Sequence, residues 1–230
     1  AAGMAHEIGN PITAIMGIQD LLISGDVPAD EQAEYLARMR KETERIHQIL
    51  RDLLDFARPE AAASAAASGS ISASPEESGA IGSVVLSEAV TDVLSLLRPQ
   101  KVFRDIEVAV DVADVEVQIA KDRLEQVLLN LALNACDAMA GAKTKKLSLR
   151  AAREGSSVRI EIEDTGPGVA AEVRERLFLP FVTTKEVGLG TGLGLAVCRG
   201  IVEGAGGRIE LDSSYTRGAR FVVVLPGQVD

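Results

Sequence analysis

The chain has 230 residues and carries 34 acidic against 24 basic side chains, a formal net charge of −10. This acidic balance argues against nucleic acid or an anionic membrane surface as a general partner. No run of eighteen or more apolar residues occurs, so the sequence predicts no direct membrane contact for this part of the protein. The length suits two domains.

The first segment is typical of an amphipathic helix. Apolar residues recur at steps of three and four, at Met4, Ile8, Ile12, Ile15, Ile18 and Leu22. The polar residues His6, Glu7 and Asn10 lie off the centre of this stripe, directly before Pro11. A surface histidine beside a chance glutamate would explain the segment alone equally well.

A second helix is predicted from about Glu31 to Arg58, where Pro59 ends it. Two antiparallel helices shield only part of their apolar stripes, and pairing with a second copy completes a four-helix bundle. We therefore expect residues 1–58 to form a helical hairpin domain that makes a homodimer.

Residues 59–83 are rich in Ala, Ser and Gly and are interpreted as a flexible linker. Residues 84–230 form the second predicted domain. Its pattern predicts helices at about 86–97, 122–139 and 194–203, and strands at 106–112, 115–120, 146–152, 158–164, 207–211 and 219–225. This mixture indicates an α/β sandwich with helices packed on one face of a mixed sheet. Cys136 and Cys198 lie in apolar helical patterns and are predicted to be buried thiols.

Two asparagines in "NLALNACDAM" (130–139) are candidates for a metal site. Asn130 and Asn134 are four residues apart, so they share one face of the predicted helix. Amide oxygens can share Mg²⁺ with phosphate oxygens and water. Ordinary amides on a helix surface are the alternative.

Two further motifs, "DTGPG" (164–168) and "GLGTGLGL" (188–195), point to a nucleotide. Asp164 follows a predicted strand, where its carboxylate could accept a hydrogen bond from an exocyclic amino group, which favours adenine over guanine. The glycines at 188, 190, 192 and 194 would let backbone N–H groups approach phosphates, next to a helix N-terminus. Taken singly, a tight turn explains such a stretch as well.

Together these motifs resemble the transmitter region of two-component sensor histidine kinases, over essentially the whole chain. "HEIGNP" is similar to the histidine box, "NLALNA" to the asparagine box, "DTGPG" and "GTGLGL" to the two glycine boxes, and "FLPFVTTK" to the phenylalanine box. The resemblance implies a dimerisation and phosphotransfer hairpin followed by a Bergerat-type ATP-binding sandwich. It also implies a response-regulator receiver domain as partner.

The resemblance assigns roles to individual residues. His6 would accept the phosphoryl group, Glu7 would take its proton, Pro11 would loosen the helix just past the site, and Asn10 would orient water for dephosphorylation of the regulator. A purely local hydrogen bond is the alternative for Asn10. The implied ATP and Mg²⁺ site comprises Asn130, Asn134, Asp137, Asp164, Gly166, Gly168, Phe178, Phe181, Thr184, Lys185, Gly188, Gly190, Thr191, Gly192, Leu193 and Gly194.

The sequence departs from the family pattern in two places. Many relatives carry Lys and Tyr just after the second asparagine, where this chain has Asp137 and Ala138, so Lys185 is our candidate for the missing phosphate contact. The pattern is more similar to the nitrogen-regulation branch than to the osmosensor branch. The family's first helix also begins well upstream of the histidine, so we expect a cytoplasmic fragment of a longer protein with a sensor region and, in some relatives, a membrane anchor.

Two other functions fit part of the pattern. The wider superfamily of gyrase, Hsp90 and MutL contains ATP-driven conformational switches without phosphotransfer, but those relatives lack an upstream His-Glu hairpin. A scaffold that has lost ATP binding is disfavoured by the presence of Asn134, Asp164 and all the box glycines.

Overall fold

The structure is a computed structural model, and it describes residues 2–25, 27–47, 49–50, 82–185 and 191–228. The predicted end of the second helix and almost all of the predicted linker therefore lie outside the described residues. None of the helices in the described ranges combines the length and the apolar content that crossing a bilayer requires.

The N-terminal part consists of two helices. Helix α1 spans Ala2–Ser24 and continues through Pro11. Gly25 follows at φ 78°, the left-handed conformation that commonly ends a helix. Helix α2 covers residues 32–47 and carries exposed ion pairs one turn apart, such as Arg38 with Glu34. The helical part predicted for the N-terminus is confirmed.

The second part is an α/β domain. Its elements in chain order are β1 (Ser83–Val85), α3 (Leu86–Leu97), a 3₁₀ turn (Lys101–Phe103), β2 (Glu107–Val112), β3 (Glu116–Gln118), α4 (Lys121–Ala138), β4 (Lys146–Glu154), β5 (Ser157–Glu163), α5 (Ala171–Arg174), α6 (Gly194–Gly204), β6 (Arg208–Leu211) and β7 (Arg220–Pro226). β1, α5 and the 3₁₀ turn were not predicted. β1 begins at Ser83, the last residue of the range interpreted as linker.

The main sheet has five strands in the order β2-β4-β5-β7-β6. The β2–β4 pair is parallel and the other pairs are antiparallel, so the sheet is mixed as predicted. β1 and β3 form a separate antiparallel pair.

One hydrophobic core lies between the helices and this sheet. In β5, Val158, Ile160 and Ile162 are buried in the core while Arg159 and Glu161 alternate onto the outer face. α4 contributes residues at helical spacing, and α6 packs beside it. The α/β sandwich is confirmed, and it leaves the ends of β5, α4 and the start of α6 to form the site.

Candidate functional site

The three candidates around the histidine box lie on α1. His6 and Glu7 are within the helix, and their side chains are outside what the structure describes. Asn10 is exposed. The hydroxyl of Thr13 donates to the carbonyl oxygen of Gly9 at 2.9 Å, one turn back across Pro11.

Asp164 is the most buried of the polar site residues that the structure describes, with 3% of its surface exposed at the end of β5. Its Oδ1 atom accepts hydrogen bonds from the backbone N–H groups of Gly166, at 2.8 Å, and Ala219, at 3.1 Å. Oδ2 receives no hydrogen bond from the described part of the chain. A buried carboxylate oxygen without a partner is costly unless a ligand supplies a donor.

Burial raises the pKa of the Asp164 carboxyl above its ordinary value, against the opposing effect of the hydrogen bonds from Ala219 and Gly166. Desolvation disfavours the charged form, whereas donors that point at Oδ1 favour it. A ligand that donates a hydrogen bond to Oδ2 would further favour the charged form. The site thus contains a desolvated carboxylate whose Oδ2 accepts no hydrogen bond from the described part of the chain.

Close-packed glycines surround Asp164. A methyl group on Gly218 would overlap the Asp164 carbonyl oxygen, and one on Gly166 would lie 3.0 Å from Oδ1 and 3.1 Å from Ala138 at the end of α4. Gly168, at φ 76°, packs against Gly218 in the same way. The strand that follows Gly218 was predicted at 219–225, but Gly218 and Ala219 were not predicted as site residues, although a glycine just before a buried strand is a signal that could have indicated them.

The two asparagines lie half-buried on α4 as predicted. The amide of Asn130 donates to the carbonyl oxygen of Gly194 at 3.5 Å, which brings the asparagine box against the start of α6. Asn134 makes no side-chain hydrogen bond within the described ranges, so its amide is available to a ligand. No group of three or more His, Cys, Asp or Glu side chains in those ranges could hold a metal, so amides are the donors at hand.

The phenylalanine box is locked to the second glycine box. Phe181 has φ 66°, and its N–H donates to the carbonyl oxygen of Gly192 at 3.0 Å. A methyl group on Gly192, itself at φ 64°, would lie 2.6 Å from the Phe181 carbonyl carbon. Phe178 packs edge-on against Phe221 of β7 with 6.3 Å between ring centroids. The two boxes therefore form one packed unit.

Lys185 points back to α4. Its Nζ atom lies 2.5 Å from Oδ2 of Asp137, and both side chains are partly exposed. Thr184 is exposed, whereas Leu193 is buried and donates its N–H to the Thr191 hydroxyl at 3.3 Å. Gly188 and Gly190 lie outside the described residues.

Both cysteines are buried free thiols, as predicted. Burial raises the pKa of Cys136 to about 11 and that of Cys198 to about 12, which keeps both thiols protonated and unreactive. They support packing and carry no chemistry at the site.

Two family models match separate parts of the chain. Residues 1–62 match the His Kinase A (phospho-acceptor) domain, and residues 119–229 match the histidine kinase-, DNA gyrase B-, and HSP90-like ATPase. The chain is 37% identical over 229 residues to the sensor histidine kinase ZraS of Escherichia coli O157:H7, covering 98% of this chain and 45% of that protein. It is 35% identical over 245 residues to the sensor kinase CckA of Brucella abortus (strain 2308), covering 100% of this chain and 24% of that protein. The chain thus spans less than half the length of these curated relatives.

Solved structures give the same result. The histidine kinase ThkA in complex with the response regulator protein TrrA aligns at a TM-score of 0.74 and 25% identity, covering 99% of this chain and 60% of that chain. The nucleotide-free catalytic domain of ThkA aligns at a TM-score of 0.56 and 30% identity, covering 63% of this chain and 94% of that chain. The chain therefore belongs to the two-component sensor histidine kinases and comprises their transmitter region.

Proposed function

We propose that the chain is an ATP-dependent protein histidine autokinase that phosphorylates His6. The observation that carries the proposal is the buried carboxylate of Asp164, whose Oδ2 accepts no hydrogen bond from the described residues and which close-packed glycines surround. It occurs in a chain whose residues 1–62 match a phospho-acceptor domain. A nucleotide site and a phosphoryl acceptor in one chain are what autophosphorylation needs.

Asp164 accepts a hydrogen bond from the adenine amino group through Oδ2, and the tight packing of Gly166 and Gly168 against their neighbours holds the carboxylate in position. Phosphates bind at the second glycine box, where Thr191, Gly192, Leu193 and Gly194 lie at or just before the start of α6. Gly188 and Gly190 of the same motif are further candidates for phosphate contacts. Helix N-termini suit such anions.

Asn134, with Asn130 nearby, would hold Mg²⁺ through an amide oxygen, beside the phosphates of the nucleotide. This fits the half-buried position of both amides and the lack of a hydrogen bond from Asn134 within the described ranges. Few protein ligands, all oxygen, are what Mg²⁺ commonly takes in nucleotide sites. When bound, the ion neutralises charge on the transferring phosphoryl group.

The segment around Phe178, Phe181, Thr184 and Lys185 acts as a lid over the phosphates. Two observations support this role: the contact of Phe181 with Gly192 and the ion pair of Lys185 with Asp137. Lys185 supplies the basic phosphate contact, and Asp137 holds it close to the site.

His6 is the nucleophile. A neutral imidazole is well populated at pH 7, because the ordinary pKa of His is about 6.5. One ring nitrogen forms a bond to the γ-phosphorus while the bond to the bridging oxygen of ADP breaks, and Glu7 takes the proton from the other ring nitrogen. Such transfer depends mainly on positioning and charge neutralisation.

The phosphoryl group then passes to an aspartate of a response-regulator receiver domain. Support comes from ThkA, which was solved in complex with the response regulator protein TrrA. We also infer a phosphatase activity on that regulator, in which Asn10 orients the attacking water, and a place in the nitrogen-regulation branch.

We further infer a homodimer built from α1 and α2, with domains at 1–58 and 84–230. Met16 is 58% exposed and Ile23 is 84% exposed, which favours a partner covering these apolar side chains. A monomer at micromolar concentration by light scattering would contradict the dimer. We infer that catalysis takes place in the cytoplasm and that any membrane anchor lies elsewhere in the full-length protein.

Incubation with γ-labelled ATP tests the proposal. A phosphohistidine is labile in acid and stable in base, so a covalent label with those properties is expected. An ATP-driven conformational switch would bind and hydrolyse ATP without retaining label. A degenerate scaffold would do neither.

A further inference from the structure

A cavity of about 300 Å³ lies on the outer face of the sheet, away from the candidate nucleotide site. Its walls come from β4, β5 and β7, through Arg150, Glu163 and Arg220, and from the loop 214–217 before β7. The alternation of each strand places these three side chains opposite the core, since their neighbours Leu149, Ile162 and Phe221 are buried under the helices.

Oε1 of Glu163, a buried carboxylate that lines this cavity, is held by two arginines. Arg220 donates to its Oε1 through Nε, at 2.9 Å, and lies 2.8 Å from it through Nη2. Arg150 approaches the same oxygen at 3.3 Å. Arg220 also pairs with Asp212 at 3.0 Å and stacks on the ring of Tyr215, 4.4 Å from its centroid. These contacts fix the guanidinium of Arg220 in place.

The remaining charge of the cavity is positive. Three arginines line it, against the carboxylate of Glu163 and that of Asp212, which pairs with Arg220. Arg217 forms no ion pair within the part of the chain that the structure describes. The side chain of Arg150 is 53% exposed, so it can turn toward a ligand, and Thr216 lines the same wall. The hydroxyl of Ser214, another lining residue, donates to Asp212 at 2.6 Å.

We propose that this cavity binds a small phosphate-bearing anion. Guanidinium groups present paired N–H donors that match phosphate oxygens, and hydroxyls add further hydrogen bonds. In a chain with a net charge of −10, a cluster of arginines around a concave surface concentrates anions locally. Inorganic phosphate and phosphate monoesters share this chemistry.

The anion site is separate from the nucleotide site, although the two are back to back. Glu163 precedes Asp164 in the chain, and Arg220 follows Ala219, whose N–H donates to Asp164. Glu163 and Arg220 also face each other across β5 and β7. The end of β5 and the start of β7 therefore position Asp164, the proposed adenine contact, on one side and the arginine cavity on the other. An anion and a nucleotide can thus be bound at the same time.

Calorimetric titration of the 230-residue chain tests the proposal, with inorganic phosphate in one arm and glycerol 3-phosphate in the other. Each titration is run with and without saturating ADP. We expect at least one of the two to bind at one site per chain, with a Kd below about 1 mM, in both conditions. The anion that binds with the lower Kd identifies whether the natural ligand is free phosphate or a phosphate ester. Binding that ADP abolishes would place the anion in the nucleotide site and overturn the proposal.

Arg217→Gln and Arg150→Gln should each weaken the anion about fivefold or more, since each removes a charged donor. Arg208→Gln is the matched control, because Arg208 lies on β6 outside the cavity and forms no ion pair in the described ranges. The affinity of the Arg208 variant for the anion should stay within about twofold of that of the parent. Equal losses in the Arg217 and Arg208 variants, or no binding of either anion to the parent, would show that no such site exists.

Discussion

The ammonium group of Lys185 lies 2.5 Å from a carboxylate oxygen of Asp137, which ties the segment before the second glycine box to the end of α4. Asp137 occupies the position where the resemblance leads us to expect a lysine. In our proposal Lys185, 48 positions further along the chain, supplies the positive charge that this position lacks. In our proposal, bound phosphates compete with Asp137 for it.

Asp137→Asn should tighten ATP binding about two- to fivefold. The substitution removes a negative charge near the proposed phosphates and frees Lys185, while a partly exposed pair contributes only about 0–1 kcal/mol to stability. Adenosine affinity should not change, because adenosine has no phosphate. Calorimetry with both ligands measures the difference.

Asp122→Asn is the control for this experiment. Asp122 lies in the first turn of the same helix with its side chain 80% exposed, and its neutralisation should leave ATP affinity unchanged. Weaker ATP binding by the Asp137 variant would mean that the carboxylate itself supports the nucleotide.

Asp164→Asn should weaken ATP binding by about 1–3 kcal/mol while the chain stays folded. The asparagine carbonyl can still accept from Gly166 and Ala219, but its NH₂ group would face the adenine amino group, donor against donor. Thermal unfolding checks the fold and calorimetry checks the affinity. Inosine triphosphate, which carries a carbonyl in place of the amino group, should bind the variant at least as well as the parent, because the asparagine NH₂ group can donate to that carbonyl whereas a carboxylate cannot. The same loss for this ligand as for ATP would argue against an adenine contact.

Gly192→Ala should abolish ATP binding. The residue has φ 64°, and an added methyl group would meet the Phe181 backbone at 2.6 Å, so the two boxes must separate. Gly200→Ala, on α6 with open space around it, should leave binding intact and stabilise the helix by up to about 1 kcal/mol. Equal ATP affinity in the two variants would show that the Phe181–Gly192 contact does not matter for the nucleotide.

Asn10→Ala should keep autophosphorylation near the parent rate but slow release of phosphate from the phosphorylated regulator at least about tenfold, equivalent to about 1.4 kcal/mol in barrier. An amide can orient water without being consumed, and Asn10 is exposed on α1, one turn beyond Glu7. The assay follows labelled regulator over time. Unchanged release would leave Asn10 with only a local structural role.

The spacing of apolar residues predicted the long helices and strands well, because buried positions recur at a regular interval within each of them. α3 was predicted at the bounds it has, and α4 was displaced by one residue from the predicted 122–139. The three-residue strand β1 was missed because its hydrogen bonds come from β3, far along the chain.

The position of Asp164 at the end of a buried strand was predictable, because one short stretch of sequence carries it. Contacts made only by the tertiary fold were not predictable in the same way. Gly218 matters because it packs on Asp164, and the arginine cavity exists because β4, β5 and β7 are neighbours. The pairing of Lys185 with Asp137 likewise needed the folded path of the chain.

Acid-labile, base-stable labelling by γ-labelled ATP, compared between His6→Gln and His47→Gln, tests the central claim most directly. These are the two histidines of the chain, and they lie on different helices. We predict that His6→Gln loses the label while ATP affinity stays within about threefold, because the nucleophile and the nucleotide belong to different domains, and that His47→Gln keeps it. Labelling that persists in the His6 variant, or disappears only in the His47 variant, would contradict the assignment of His6 as the phosphoryl acceptor.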